Sequence, residues 1–193
     1  MVALIIAAVL AAGPARLDPD VLRARYAGLQ SLDAEVVQRK EGRFWARPFE
    51  SQIRLRYTPD RIVWETLSPV HSTVTIESKR LAITDASGSS RELGATAGDP
   101  RVVALLGFFK ALITVDLESL NRDFAIQYGE RELVATPREG AKARLFESIR
   151  LQFDARYDLI AMELVTKTER THLTFRALER VPPLANGGAG APP

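Results

Sequence analysis

The chain has 193 residues, of which 46% are hydrophobic and 26% charged, and its formal net charge is +2. This composition predicts one compact domain with its own core. The 26 basic and 24 acidic residues nearly balance and are scattered along the chain, so no nucleic-acid partner is expected. The absence of cysteine excludes disulfides, thiolate metal sites, thiol catalysis and a lipid-modified N-terminal cysteine.

The N-terminal segment predicts an export signal. The apolar run VALIIAAVLAA is too short to span a bilayer, and small residues around it suit cleavage after Ala11 or Ala15. A basic segment before the run is missing, which leaves a start upstream of Met1, a weak signal or an uncleaved core helix as alternatives. We expect residues 1–15 to be a signal peptide that is removed, 16–181 to be the folded domain and 182–193 to be a flexible tail.

The first part of the mature chain predicts one helix followed by strands. The stretch LDPDVLRARYAGLQSL starts with an aspartate cap at Asp18 and a proline, and its apolar residues have helical spacing over about three turns. From Ser31 the apolar residues recur every second position, which predicts antiparallel strands joined by hairpins, with one apolar and one solvated face. We expect these strands to stop at the polar loop SGSSRELGATAGDP.

A helical insertion follows the loop and separates two groups of strands. A second Asp-Pro start at Asp99 introduces RVVALLGFFKALIT, a helix that is apolar around most of its circumference, whereas a surface helix has a stripe of roughly 100°. It is either a helix sandwiched in the core or a movable plug over an apolar concavity. A short helix in TVDLESLNRDF comes next, and strand patterns return from Phe124 to the end. The predicted fold is mainly β with α, with about eleven strands.

The sequence offers little for catalysis. His71 and His172 are the two histidines, and neither has the spacing of a metal site or a paired carboxylate. The carboxylates of Asp18, Asp99 and Asp116 stand where they cap helices. No glycine-rich phosphate loop and no nucleophile elbow is present in the sequence. We therefore expect no enzyme, no cofactor and no metal, although a hydrolase or isomerase assembled from distant residues stays as a minor alternative.

A sheet with one apolar face, if it curls, forms a concave surface that helices must cover or a ligand must fill. An acyl chain suits such a surface, because each CH₂ removed from water contributes about 0.8 kcal/mol without any specific polar contact. A covering helix that competes for the same lining would keep the affinity modest and allow release.

Four motifs resemble the LolA and LolA-like family of periplasmic lipoprotein carriers. They are LRARYAGLQSLDAEVVQ, TPDRIVWETLSP with Pro59, Trp64 and Pro69 at the spacing of the family motif, TVTIESKRLAITD, and YGERELVATP ending at Pro137. The resemblance implies an incomplete antiparallel β-barrel whose apolar cavity is lidded by helices. It also implies a monomer in the periplasm that carries acylated lipoprotein from an inner-membrane donor to an outer-membrane acceptor.

Strand parity and the resemblance together select candidate site residues. The predicted cavity wall consists of Val36, Ile53, Leu55, Ile62, Trp64, Val74, Ile76 and Leu81, and the predicted lid of Leu105, Phe108, Phe109 and Leu112. For each of them a dry core position is the alternative. The family arginine that ties lid to barrel corresponds to Thr58 here, flanked by Arg56 and Arg61, so this lock is in doubt. A specialised glycolipid or polyene-lipid carrier, and a lipid or lipoprotein sensor of the same fold, remain alternatives.

Overall fold

The computed structural model describes residues 16–43, 45–77, 80–93, 100–139 and 145–181, with the backbone alone for residues 93 and 100–106. The predicted signal peptide, the predicted tail and the expected cap Asp99 lie outside the described residues. Within the described ranges the elements follow in this order: α1 Pro19–Tyr26, β1 Ser31–Gly42, β2 Phe49–Thr58, β3 Arg61–Ser68, β4 Ser72–Glu77, β5 Arg80–Thr84, β6 Ser90–Leu93, α2 Pro100–Ile113, α3 Leu117–Asp123, β7 Phe124–Tyr128, β8 Glu132–Pro137, β9 Ser148–Phe153, β10 Leu159–Val165 and β11 Glu169–Val181.

The strands form one antiparallel sheet in the order β6-β5-β4-β3-β2-β1-β11-β10-β9-β8-β7. The two long strands β1 and β11 pair in the middle, and β6 and β7 are the two edges, so the sheet is not closed. The predicted fold class, a mainly β and incomplete antiparallel barrel of eleven strands with helices, is confirmed.

One face of the sheet carries the core. On β2, Ile53, Leu55 and Tyr57 are buried while Arg54 and Arg56 between them are exposed, as the alternation of side chains along a strand requires. Buried side chains from β1 and β2 belong to the same cluster as those from β7 to β11. We call the face of the sheet that carries this cluster the inner face.

Two expectations about element bounds are wrong. The first helix spans Pro19–Tyr26, about two turns instead of three, because the chain turns at Gly28 with φ 64, a left-handed conformation that glycine adopts without strain. The second error concerns the polar loop, since Ser90–Leu93 forms strand β6 and pairs with β5. Four residues without an apolar alternation give no strand signal, and β6 forms because β5 offers an open edge.

The capping predictions are confirmed for α1 and α3. The Asp18 side chain accepts hydrogen bonds from the backbone N–H groups of Asp20 and Val21 at the start of α1. The Asp116 side chain accepts one from the backbone N–H of Ser119 at the start of α3. Between α2 and α3, Val115 has φ 47, and the backbone N–H of Asp116 returns to the carbonyl of Ala111 at 2.8 Å. This helix end normally takes glycine at the left-handed position.

Candidate functional site

The predicted cavity wall divides into a buried and a half-buried part. Val36, Ile53, Leu55 and Ile62 are at most 4% exposed and belong to the core cluster. They lie on the inner face of β1, β2 and the start of β3, as predicted. Because protein side chains already cover them, they can support a binding surface but have little area left to offer a ligand.

The other four predicted wall residues retain exposed area. Trp64, Val74, Ile76 and Leu81 are half-buried and are joined through the sheet, since Trp64 lies opposite Val74 and Ile76 opposite Leu81. Ile83, opposite Val74, extends the group and was not among the predicted site residues, although its period-two spacing from Leu81 signals the same face. We call Trp64, Val74, Ile76, Leu81 and Ile83 the apolar strip.

The predicted lid is partly a core element. Phe108 is 8% exposed and Leu112 is 1% exposed, and the Phe108 ring stacks on Phe124 and Phe146 with centroids 5.6 and 5.1 Å apart. Phe109 is half-buried. The side chain of Leu105 lies outside the described residues. The C-terminal half of α2 is thus fixed in the core beside the edge strand β7.

A hydrogen bond joins α2 to the β2–β3 turn beside Thr58. The Lys110 Nζ donates to the carbonyl oxygen of Pro59 at 2.7 Å. The Thr58 hydroxyl donates to Asp60 Oδ1 at 2.8 Å, and this bond is the first cause of a lowered pKa of the Asp60 carboxyl. The contact between helix and turn therefore exists without an arginine at position 58, and its cation comes from the helix.

A cavity of about 400 Å³ lies between the end of α1, the β2–β3 turn and the α2–α3 linker. Its walls include Tyr57, Pro59 and Val115 together with the charged residues Arg23 and Glu118. Burial raises the pKa of the Tyr57 hydroxyl. No predicted site residue lines this cavity, because its walls come from segments far apart in sequence. Charges of both signs make it a poor match for a bare hydrocarbon chain.

One carboxylate of the described residues, Glu169, is held by several polar side chains. The Glu169 carboxylate accepts hydrogen bonds from Trp45 Nε1 at 2.8 Å and from the Thr171 hydroxyl at 3.2 Å, and Lys40 Nζ lies 3.6 Å away. Burial by itself raises the pKa of Glu169, but the Trp45 hydrogen bond and the Lys40 charge outweigh it, so the pKa is lowered. Such a carboxylate stays ionised at neutral pH and is unsuited to act as a general acid.

Two further titratable groups, Tyr26 and His71, also make contacts within the fold. Tyr26 is 4% exposed and accepts a hydrogen bond from the Leu159 N–H at 2.9 Å, and burial raises its pKa to about 12. His71 is exposed and lies 3.3 Å from Glu65. Among the described residues no group of histidines and carboxylates is arranged to hold a metal ion. Nor is any described helix both long and apolar enough to cross a bilayer.

Comparison with known proteins finds similar solved structures at low sequence identity. The sequence matches no family model and no curated protein. Similar solved structures include a DUF1329 family protein from Desulfovibrio piger, with 10% identity, a TM-score of 0.45 and coverage of 83% of this chain and 90% of that one. A LolA superfamily protein from Nitrosomonas europaea has 8% identity, a TM-score of 0.40 and coverage of 83% and 91%.

A third similar structure is the Mycobacterium tuberculosis lipoprotein LppX, with 14% identity, a TM-score of 0.42 and coverage of 83% of this chain and 95% of that one. A LolA superfamily protein, from the family that the sequence motifs resemble, is thus among the similar structures. At these identities and TM-scores the likeness identifies neither cargo nor partner.

Proposed function

We propose that this protein is a carrier that holds the acyl chain of a lipoprotein or related lipid against the apolar strip. One observation carries the proposal. The inner face is covered in the middle of β1 and β2, where Val36 and Leu55 are at most 1% exposed, but only half covered from Trp64 on β3 to Ile83 on β5. Apolar area of this kind, continuous with a core, is typical of a binding surface for an apolar partner.

The area suits a hydrocarbon chain energetically. Strand alternation keeps the apolar strip free of charged side chains between Trp64 and Ile83 on β3 to β5, so a chain can lie on it without desolvating an ion. Each CH₂ that the strip removes from water contributes about 0.8 kcal/mol, and a chain of a dozen carbons then binds by area alone. Phe109 on α2, half-buried, is the helix residue proposed to complete the site.

The location and partners belong to the same proposal. An export signal in residues 1–15 would place the protein in the periplasm, where acylated lipoprotein needs a carrier between an inner-membrane donor and an outer-membrane acceptor. The proposed action is binding and release without chemistry, which agrees with the structural roles of Glu169, Tyr26 and His71 among the described residues.

Quenching of tryptophan fluorescence tests the site directly. Trp45 and Trp64 are the two tryptophans, so Trp45→Phe leaves Trp64 as the sole reporter. Stearic acid dibrominated in mid-chain should quench Trp64 saturably, because bromine quenches by contact. Val74→Asp or Leu81→Asp should abolish quenching, whereas Thr75→Asp on the opposite face of β4 should preserve it.

Native mass spectrometry of protein taken from its own cell envelope complements this assay. The carrier proposal expects a bound lipid or acylated protein that is lost in Leu81→Asp. Protein that arrives empty and also leaves Trp64 unquenched by the brominated chain would refute it.

A further inference from the structure

Four neutral polar side chains lie on the inner face of β1 to β4 as two cross-strand pairs that are offset by one inner-face position. Gln38 on β1 is opposite Ser51 on β2, and Thr66 on β3 is opposite Ser72 on β4. Thr66 is also opposite Ile53, whose neighbour on the inner face is Ser51. These four residues, which we call the polar row, therefore continue across four adjacent strands on the inner face.

The polar row borders the apolar strip and the buried wall directly. Each residue of the polar row has an apolar residue two positions away on its own strand, and in strand order these are Val36, Ile53, Trp64 and Val74. Side chains alternate along a strand, so each apolar residue lies on the same face as its polar neighbour. The inner face of β1 to β4 is thus apolar toward one end and hydrogen-bonding toward the other. A molecule lying along these strands would meet hydrocarbon surface first and then hydroxyl and amide groups.

The polar row is not used by the fold. Ser51 is 4% exposed and the other three residues are half-buried, yet none of the four side chains makes a hydrogen bond or an ion pair with the described part of the chain. In the described residues, every side-chain nitrogen or oxygen that is shielded from solvent has a hydrogen-bond partner. Because the Ser51 hydroxyl has none within the described residues, it is accessible to solvent. Removing such groups from water without a partner is unfavourable, and a ligand can supply the partner.

The charges around the polar row indicate a neutral ligand. Lys40, the next inner-face residue on β1, faces Glu169 with its Nζ 3.6 Å from the carboxylate, and the two charges offset each other. Arg91 lies opposite Ile83 on the edge strand β6 and is exposed. Hydroxyls and an amide both donate and accept hydrogen bonds, which matches ester carbonyls and hydroxyls better than a phosphate or carboxylate.

We propose that the polar row binds the neutral, oxygen-rich part of an acylated cargo, such as an esterified glycerol or a sugar, while the acyl chain lies on the apolar strip. This inference rests on the proposed carrier function and adds the chemical class and the orientation of the cargo. It makes Thr66 and Ser51 specificity residues, because Thr66 lies two positions from Trp64 of the apolar strip and Ser51 lies diagonally next to Thr66 on the neighbouring strand.

Two ligands with the same chain test the inference. Monododecanoylglycerol and dodecane, the latter supplied from a cyclodextrin complex, compete with the brominated chain for the Trp45→Phe protein, and the recovery of Trp64 fluorescence gives both affinities. Ser51→Ala and Thr66→Val should each weaken the glycerol ester by about threefold to tenfold, the effect of one lost hydrogen bond, and leave dodecane unchanged. Thr75→Val on the opposite face is the matched control and should change neither affinity.

The possible outcomes distinguish the inference about the polar row from the proposed carrier function. A glycerol-ester affinity that falls in both row variants, with an unchanged dodecane affinity, supports the inference. If both ligands bind but their affinity ratio is the same in every variant, or if the anionic dodecanoylglycerol phosphate binds more tightly than the neutral ester, the inference is overturned and the carrier function stands. If the brominated chain binds but the glycerol ester does not displace it, the inference alone is overturned, and if the brominated chain itself leaves Trp64 unquenched, both are overturned.

Discussion

Lys110 and Pro59 form the contact that holds α2 to the β2–β3 turn, with Nζ 2.7 Å from the carbonyl oxygen. Replacing Lys110 by methionine keeps most of the aliphatic side chain and removes the donor. We expect the amides of α2 to exchange with deuterium several-fold faster, because opening the helix no longer breaks this bond. Hydrogen exchange followed by mass spectrometry measures the change, and release of a bound brominated chain should accelerate in parallel.

Lys167 offers a control of the same residue type, since it is exposed in the β10–β11 turn and takes no part in the hydrogen bond between α2 and the β2–β3 turn. Lys167→Met should leave exchange in α2 at the wild-type rate. Equal exchange in wild type and Lys110→Met would show that the contact does not restrain the helix.

Glu169 predicts a pH-dependent contribution to stability. Its folded pKa is lowered, so its interactions stabilise the fold above the unfolded pKa and are lost as pH falls through the folded pKa. Trp45→Phe keeps a ring against Phe49, where the two rings stack at 5.0 Å, but removes the Nε1 donor. We expect a loss of about 1 kcal/mol in unfolding free energy at pH 7 that shrinks toward pH 3, measured by urea unfolding.

The same substitution in a Glu169→Gln background supplies the double-mutant cycle. Without the carboxylate, Trp45→Phe should cost a similar amount at pH 7 and pH 3. A loss that stays constant with pH in the Glu169 protein would mean that the Trp45 donor does not act through the carboxylate.

The helix α2 combines a role in the core with a proposed role in binding. Its adjacent residues Phe108 and Phe109 allow the two roles to be tested separately. Phe108 is 8% exposed and stacks on two other rings, so Phe108→Ala should lower the unfolding free energy by about 3–4 kcal/mol through the cavity it leaves. Phe109→Ala removes a half-buried ring and should cost about 1 kcal/mol while weakening the brominated chain several-fold. Urea unfolding and Trp64 quenching distinguish the two effects.

The sequence predicts that α2 is apolar on most sides, yet it does not say which side faces protein. Phe108 and Phe109 are the same residue type and adjacent in the chain, and they differ in burial because Phe124 of β7 and Phe146 of the segment before β9 stack on Phe108. Strand faces were predictable because alternation is a local property. Strand β6 was not, because its pairing depends on the edge left by β5.

The whole sheet determines which predicted wall residues keep free area. Val36 and Trp64 both have the right parity, but β1 lies in the middle of the sheet order and is paired on both sides by long strands, whereas β3 to β5 lie toward the β6 edge. The sequence alone predicts which residues of a strand share a face, but it does not predict where that strand lies in the sheet. The polar row shows the same limit, since Gln38, Ser51, Thr66 and Ser72 become neighbours only through register.

An open sheet also exposes two edges to other molecules, and charged side chains on an edge oppose pairing with a second copy. On β6, Arg91 and Glu92 are exposed, and Glu92 forms an ion pair with Arg80 on β5. We expect the wild-type protein to be a monomer at micromolar concentration and the Arg91→Val/Glu92→Val variant to self-associate, as measured by size-exclusion chromatography with light scattering.

Glu132→Val/Arg150→Val removes an ion pair of the same kind from β8 and β9, which are paired on both sides. Association of this control to the same extent would assign the effect to added hydrophobicity and would contradict a protective role for the charges of β6.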